Sequence, residues 1–541
     1  MAAGTQAPDS LPRPPMKWDA WGDPALAKPL SDNIKKLLQQ VLGTTADEPP
    51  ARSAESVRLT PSALPESDRA ALAAIVGPEH VGVADADRLT RAGGKSTVDL
   101  YRRRGGEPQD APDAVVLPGS EEEIAAVLAH CVRQRIAVVP FGGGTSVVGG
   151  VDPIRGDFTA VITLDLRRFD RLEALDPVSG EATLGAGLPG PRAEELLAAQ
   201  GFELGHYPQS FRFATIGGFA ATRSSGQDSA GYGRFDEMVR GLRVVTPAGV
   251  LDLGRAPASA AGPDLRELFL GSEGVFGVIT AVRLRVHPLP ATKAHKAWNF
   301  PDFATGAAAL RAVEQQETGP TVLRLSDEAE TGINLAMTDR IGGDQVAGGC
   351  LAVTVFEGTA EQVAARHERT RAVLLAAGGT PLGAEPAVAW EHGRFGAPYL
   401  RDALLDAGAL CETLETATQW SNVDNLKAAV TAALRESLRE TGTESLVMCH
   451  ISHVYPTGAS LYFTVVAAQK GDPIAQWSHA KRAAGDAIVA AGGTITHHHA
   501  VGADHRPWMT AEVGELGVRI LRAVKDALDP AGILNPGKLI P

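Results

Sequence analysis

Along the chain, hydrophobic positions alternate between helical spacing, of about 3.6 residues, and short apolar runs bounded by turn residues. Within a Pro-, Ala- and Asp-rich start, "DNIKKLLQQVLG" is amphipathic and predicts a short helix in a partly ordered arm. "ESDRAALAAIVG" (66–77) predicts a second helix. From Pro112 the texture changes, and "DAVVLP" predicts a strand. In "GSEEEIAAVLAHCVRQ", Ser120 and Glu123 form a capping-box pattern, and Ile124, Val127, Leu128 and Cys131 share one face. "RIAVVP" completes a strand–helix–strand unit that ends at "FGGGTSVVGG".

Strand-like runs follow: "TAVITLDL", "EATLGAG", "GLRVVTPAGVLDLG" and "VFGVITAVRLRVHPLP", interrupted by the helix "GPRAEELLAAQG". A second alternation begins near Ala291, with the helix "FATGAAALRAVEQQ" and the strand "GGCLAVTVFEG". Residues 445–469 lack Asp, Glu, Lys and Arg, a length that could span a membrane. The "PTG" at its centre predicts two buried strands joined by a turn instead. No internal repeat is evident, and alternation throughout predicts an α+β chain of at least two domains.

A formal charge of −13 argues against general nucleic-acid binding, which needs clustered Lys and Arg. Cys131, Cys350, Cys411 and Cys449 are far apart and form no CxxC pair, so buried free thiols are expected. No signal peptide is expected from "MAAGTQAPDSLPRPP". The Ala-rich composition and the absence of an N-terminal peroxisomal signal of the R/K-L-x5-H/Q-L type suggest a bacterial cytoplasmic protein.

The candidate chemistry lies in three polar, glycine-rich segments. Pro140, Phe141, Gly142, Gly143, Gly144, Thr145 and Ser146 follow a strand, and adjacent glycines let backbone N–H groups approach a pyrophosphate. Neither a GxGxxG opening a helix nor a GK[ST] loop is present. The second segment runs from Gln209 to Gly226 and the third from Gly271 to Thr280.

In this order and spacing, "PDAVVLPGSEEEIAAVL", "VVPFGGGTS", "ATIGGFAATRSSG" and "GSEGVFGVIT" resemble the FAD-binding domain of the vanillyl-alcohol oxidase/p-cresol methylhydroxylase family. The resemblance implies a two-subdomain FAD-binding domain with an α+β cap over the flavin ring. It divides the chain into an N-terminal arm and helical region (1–108), the FAD domain (109–290), the cap (291–505) and a C-terminal segment returning to the FAD domain (506–541). The FAD contacts it implies are Pro140–Ser146, Gln209, Ser210, Thr215, Gly217, Gly218, Thr222, Arg223, Ser224, Ser225, Glu273, Gly274, Val275, Gly277, Val278 and Ile279. Some members hold FAD through a histidine; the loop here has none, so non-covalent FAD is expected.

Segments elsewhere are similar to the ether-lipid branch of that family, the alkyldihydroxyacetonephosphate synthases: "MKWDAWGDP", "GHYPQS", "LRLSD", "YLRDALLDAG", "CETLETATQW", "GASLYFT" and "HHHAVG". This resemblance implies exchange of the acyl chain of acyl-dihydroxyacetone phosphate for a fatty alcohol at flavin N5, without net redox. It implies an acid/base role for Tyr462, substrate binding by Arg401, a role in activity for Arg324, and catalysis by His497, His498 and His499, with His206 beside the flavin. It also implies a lipid-like substrate, contact with the membrane surface and a homodimer.

Each residue has a plainer reading. Tyr462 could pack a core, Arg401 could pair with Asp402 or Asp406, and Arg324 could pair with Asp327. A tyrosine makes a base only where positive charge or hydrogen bonding lowers its pKa, and Arg401 or a histidine is the expected source. No metal site is expected: three consecutive strand histidines would alternate in direction, so at least one should face away. The competing reading is an FAD-dependent 2-hydroxyacid dehydrogenase of the D-lactate or D-2-hydroxyglutarate type. Those enzymes end in a tail like "DPAGILNPGK" but carry Glu-His where this chain has His498-His499.

Overall fold

The computed structural model of the chain describes residues 15–44, 52–105, 107–337 and 348–541. The N-terminal region carries helices α1 (Asp32–Leu42), α2 (Glu66–Val76) and α3 (Thr97–Arg104). Strands β1 (Val81–Gly82), β2 (Ala114–Val116), β3 (Ile136–Phe141) and β4 (Ala160–Asp165) form a sheet of order β1-β2-β4-β3. β2, β4 and β3 are parallel, as the crossover helix α4 (Glu121–Gln134) between β2 and β3 requires. At its start Ser120 caps Glu123 N–H at 3.2 Å, but the Glu123 carboxylate turns to Gly119 N–H at 2.6 Å. The expected box thus closes one residue early.

The second sheet is antiparallel. It contains β5 (Leu172–Asp176), β6 (Glu181–Gly185), β7 (Val239–Thr246), β8 (Gly249–Leu253) and β9 (Val278–Arg285), in the order β5-β6-β9-β7-β8. Helix α5 (Ile216–Thr222) packs against it. The two sheets share one apolar core, which includes Ile124, Val138, Phe219 and Val282. The chain end joins this core through Ile533 and Leu534, with Val138 N–H donating to Ile533 O at 2.8 Å.

The cap is a single large antiparallel sheet. Its strands are β10 (Thr292–Phe300), β11 (Val322–Ser326), β12 (Cys350–Gly358), β13 (Thr380–Gly383), β14 (Ala409–Gln419), β15 (Ser445–Ile451) and β16 (Gly458–Ala468). Their order is β13-β10-β12-β11-β15-β16-β14, and Val454–Tyr455 also pairs with β16. The charge-free window therefore forms paired strands, and no described helix is long and apolar enough to cross a membrane. Among the helices of the cap are α6 (Phe303–Gln315), α7 (Glu328–Met337), α8 (Ala397–Asp406), α9 (Val423–Glu440) and α10 (Pro473–Ala490), and α11 (Met509–Leu528) follows it.

Strand alternation divides the cap sheet into two faces. Val447, Cys449, Leu461, Phe463 and Val465 pack with Leu426, Leu434 and Trp477 of α9 and α10. Met448, His450, Tyr462, Thr464 and Val466 occupy the other face and line a cavity. The four cysteines are buried and free.

Candidate active site

The cavity has a volume of about 990 Å³ and lies between the glycine-rich segments and the open face of the cap sheet. All of Pro140–Ser146 lines it, with Gln209, Ser210, Thr215, Gly217, Gly218, Thr222, Ser224, Ser225, Glu273, Gly274, Gly277 and Ile279. The loops touch each other closely. A Cβ on Gly143 would lie 2.2 Å from Phe213 O, and one on Gly142 would lie 2.3 Å from Thr215 Oγ1. Glycine is required here by backbone approach rather than by unusual φ.

Three of the expected contacts point elsewhere. The Arg223 side chain leaves the cavity for Asp236 (2.9 Å) and Glu267 (2.6 Å). Val275 and Val278 are buried in the core; at the start of β9 Ile279 lines the cavity and Val278 faces away. Beside the loops, Gln209 Nε2 is buried with no hydrogen-bond partner among the described residues. A glycine-lined wall with an unsatisfied buried donor fits a cofactor rich in acceptor oxygens, as FAD is.

Opposite the glycine wall, four side chains form one transverse row of the cap sheet. Ser326 pairs with His450, His450 with Tyr462, and Tyr462 with Glu415. The His450 and Tyr462 rings stack at 4.8 Å between centroids, 11° from parallel. On its other side Tyr462 stacks on His498 at 6.0 Å, and His499 stands edge-on at 5.6 Å.

Glu415 explains how the histidines reach this row. Its buried carboxylate accepts from the backbone N–H groups of His497 (2.6 Å), His498 (3.2 Å) and His499 (2.8 Å), and from Thr496 Oγ1 (2.6 Å). The histidine segment is consequently a bend and not a strand. Burial opposes the charge, but Thr496 Oγ1 and the converging N–H groups hold the Glu415 carboxyl below its ordinary pKa.

Two family descriptions cover most of the chain: "FAD binding domain" at residues 112–254 and "FAD linked oxidases, C-terminal domain" at 289–539. The alkyldihydroxyacetonephosphate synthase of Trypanosoma brucei brucei is 31% identical over 97% of this chain and 92% of its own. The chain belongs to the alkyldihydroxyacetonephosphate synthase family. The synthase of Dictyostelium discoideum is 33% identical over 92% of this chain and 84% of its own. A solved alkyldihydroxyacetonephosphate synthase superposes with a TM-score of 0.84 at 29% identity, covering 97% of this chain and 99% of that one. A p-cresol methylhydroxylase structure, at 17% identity and a TM-score of 0.66, shows the shared fold. This chain is an FAD-dependent enzyme of the alkyldihydroxyacetonephosphate synthase type.

Within that family frame the expected residues divide. Tyr462, Arg324, Arg401, His498 and His499 all line the cavity. His497 does not. It turns to Tyr455, with Nε2 and the hydroxyl 2.6 Å apart, and its Nδ1 lies 2.9 Å from Nδ1 of His498. His206 is also absent from the wall: it is buried between Phe219 and Phe235 with Nε2 3.1 Å from Ser224 Oγ. Desolvation there lowers its pKa to about 3, so it is a neutral packing residue behind the flavin loop.

The expected lowering of the Tyr462 pKa is reversed. Burial pushes the phenol above its ordinary value, outweighing the Thr413 hydrogen bond and the charge of Arg401. Arg401 is itself paired, donating to Asp402 through Nε (3.0 Å) and Nη2 (2.9 Å) and to Lys95 O through Nη1 (2.6 Å). Asp402 in turn accepts from Trp21 N–H and fixes the N-terminal arm at the cavity. Arg324 pairs with Glu330 at 2.7 Å, and Asp327 is taken by Lys427 at 3.3 Å.

Glu415, His450, Glu330 and His453 were not singled out by the sequence. His453 brings a nitrogen within 4.8 Å of ligand atoms on His497 and His498, a grouping that the assumption of alternating strand histidines missed. The 2.9 Å contact between the two Nδ1 atoms is a hydrogen bond with one of them protonated, which occupies both.

Proposed function

We propose that this enzyme exchanges the acyl chain of an acyl-dihydroxyacetone phosphate for a long-chain alcohol without net redox. The observation that carries the reading is a polarity gradient along one face of the cap sheet. Cross-strand pairs run from His450–Tyr462 through Met448–Thr464 to Leu446–Val466, all lining the cavity. Ile34, Leu38, Val41 and Leu42 of α1 and Leu400 and Leu404 of α8 also line it. At about 3.4 Å per residue, the four steps from Tyr462 to Val466 cover about 14 Å, room for much of an aliphatic chain beside a polar head.

FAD, when bound, supplies the ring centre at which the substrate carbon is held while its substituents exchange. The chain's own residues bind and move protons around it. Arg401 keeps N–H donors on both terminal nitrogens beyond those used by Asp402 and Lys95, which suits a carboxylate or phosphate. Tyr462 Oη, protonated by virtue of burial, begins as a donor. His498 and His499 have lowered pKa values, chiefly from desolvation, and enter turnover neutral. Glu415 keeps them at the tyrosine ring.

The test is direct. Purified enzyme should be yellow and should convert palmitoyl-dihydroxyacetone phosphate and hexadecanol to the ether product with no electron acceptor. Rapid flavin reduction by a D-2-hydroxyacid, with no ether formed, would overturn the reading in favour of a dehydrogenase.

A further inference from the structure

The cavity wall contains a carboxylate–imidazole pair that the reading above does not use. Glu330 lies in the first turn of α7 and His450 in β15. His450 Nδ1 and Glu330 Oε2 are 2.9 Å apart, and the other Glu330 oxygen accepts from Arg324 at 2.7 Å. Against the penalty of burial, the charge of Arg324 and the hydrogen bonds from His450 and Arg324 hold the Glu330 carboxyl below its ordinary pKa.

An ionised carboxylate only accepts, so Nδ1 of His450 must be the donor. A neutral imidazole with its proton on Nδ1 carries a lone pair on Nε2. His450 lines the cavity, and its Nε2 has no hydrogen-bond partner among the described residues. The charged and titratable groups around it are Glu330 on α7, Arg324 on β11, Tyr462 on β16, His453 just after β15, and His498 beyond the tyrosine. Of these neighbours Tyr462 holds its proton, which leaves His450 as the base that faces the cavity from this side.

We propose that His450 is a second proton carrier of this site, oriented by Glu330 and acting beside Tyr462; the proposal rests on the transferase reading. When the alcohol oxygen forms its bond to the substrate carbon, its O–H bond breaks and the proton goes to Nε2 of His450. The O–H electron pair stays on the ether oxygen. The fatty-acid carboxylate has left with the electron pair of the broken ester C–O bond, so no electrons are gained or lost overall. The resulting imidazolium faces Glu330, and its proton leaves with the product or to water before the next turnover.

The experiment uses the full-length, FAD-loaded enzyme. His450→Gln should lower kcat by about 100-fold or more, the scale of a lost general base, with KM and flavin content within about threefold of the parent. Imidazole added to His450→Ala should restore at least about tenfold, and Glu330→Gln should move the acid limb of the pH profile to lower pH. A His450→Gln enzyme with kcat within about threefold of the parent, or a His450→Ala enzyme that imidazole does not rescue, overturns the proposal. If the parent itself makes no ether, the transferase reading falls and this proposal falls with it, whereas loss confined to the variants would bear on His450 alone. In ¹⁵N-histidine-labelled enzyme, a His450 resonance with the proton on Nδ1, lost in Glu330→Gln, supports the oriented base; a proton on Nε2 overturns it.

Discussion

Glu415 and Tyr462 face each other across neighbouring antiparallel strands, and the same carboxylate that flanks the tyrosine binds the backbone of the histidine segment. Position on the sheet and position of the loop are thus set by one side chain. Replacing it with Gln keeps the size but removes the charge and turns one acceptor into a donor amid converging N–H groups. The expected cost is about 2–4 kcal/mol of stability, with exchange activity down by about tenfold or more. Thermal unfolding and a parallel activity assay check both; a variant equal to the parent in both would remove Glu415 from this role.

Tyr462→Phe keeps the ring stacked between His450 and His498 and removes only the hydroxyl. Exchange should fall by about 10²–10⁴-fold while the flavin stays bound. Absorbance of the bound flavin separates lost chemistry from lost cofactor.

The apolar end of the cavity sets how much chain is accepted. Val466→Trp would fill the space opposite Leu446. With each buried CH₂ worth about 0.8 kcal/mol, losing room for several of them should lower kcat/KM for hexadecanol by more than about tenfold and spare short alcohols. A series of alcohol lengths reads this out; an unchanged preference would place the chain elsewhere.

Gly143→Ala tests the contact between flavin loops. Its methyl would meet Phe213 O at 2.2 Å and Ala214 Cα at 2.8 Å, both backbone atoms that cannot swing aside. Flavin content after purification should drop well below that of the parent, and full retention would show that the loops can separate.

His206 supplies a pH prediction with a definite sign. Its pKa falls from 6.5 to about 3 on folding, so the unfolded chain binds the proton more readily between those values. The neutral folded form is favoured above pH 6.5, and that contribution is lost progressively as pH falls toward 3. His206→Gln can still bond Ser224 but cannot titrate. Its melting temperature should fall less than the parent's on acidification below pH 6.5, while activity at neutral pH is retained. Equal slopes would contradict the assignment.

The flavin loops were legible because local chemistry marks them: a strand, consecutive glycines, then hydroxyls. Tyr462 was legible through its motif. Glu415 was not, since its partners lie more than 80 residues away and nothing in "CETLETATQ" separates it from Glu412. His450 was hidden by register. Val454–Tyr455 pairs with Ala459 and Gly458 near the turn, but Ser445–Ile451 pairs with a one-residue offset, so counting outward from "PTG" sets Tyr462 opposite Ile451. The histidine triplet was read as a strand because its neighbours are β-formers; three N–H groups converging on one carboxylate require a bend.

Near the chain's end, Asn535 Nδ2 donates to Gly150 O at 2.9 Å and to Glu273 O at 2.7 Å, while the Glu273 carboxylate accepts from Val501 and Gly502. Gly150, just after the first glycine-rich segment, and Glu273, in the third, are therefore held by residues 228 to 385 positions later in the chain. A nascent chain that has emitted its whole flavin-binding region still has an open cradle. Closing the cofactor cradle therefore depends on a segment translated long after the glycine-rich loops themselves.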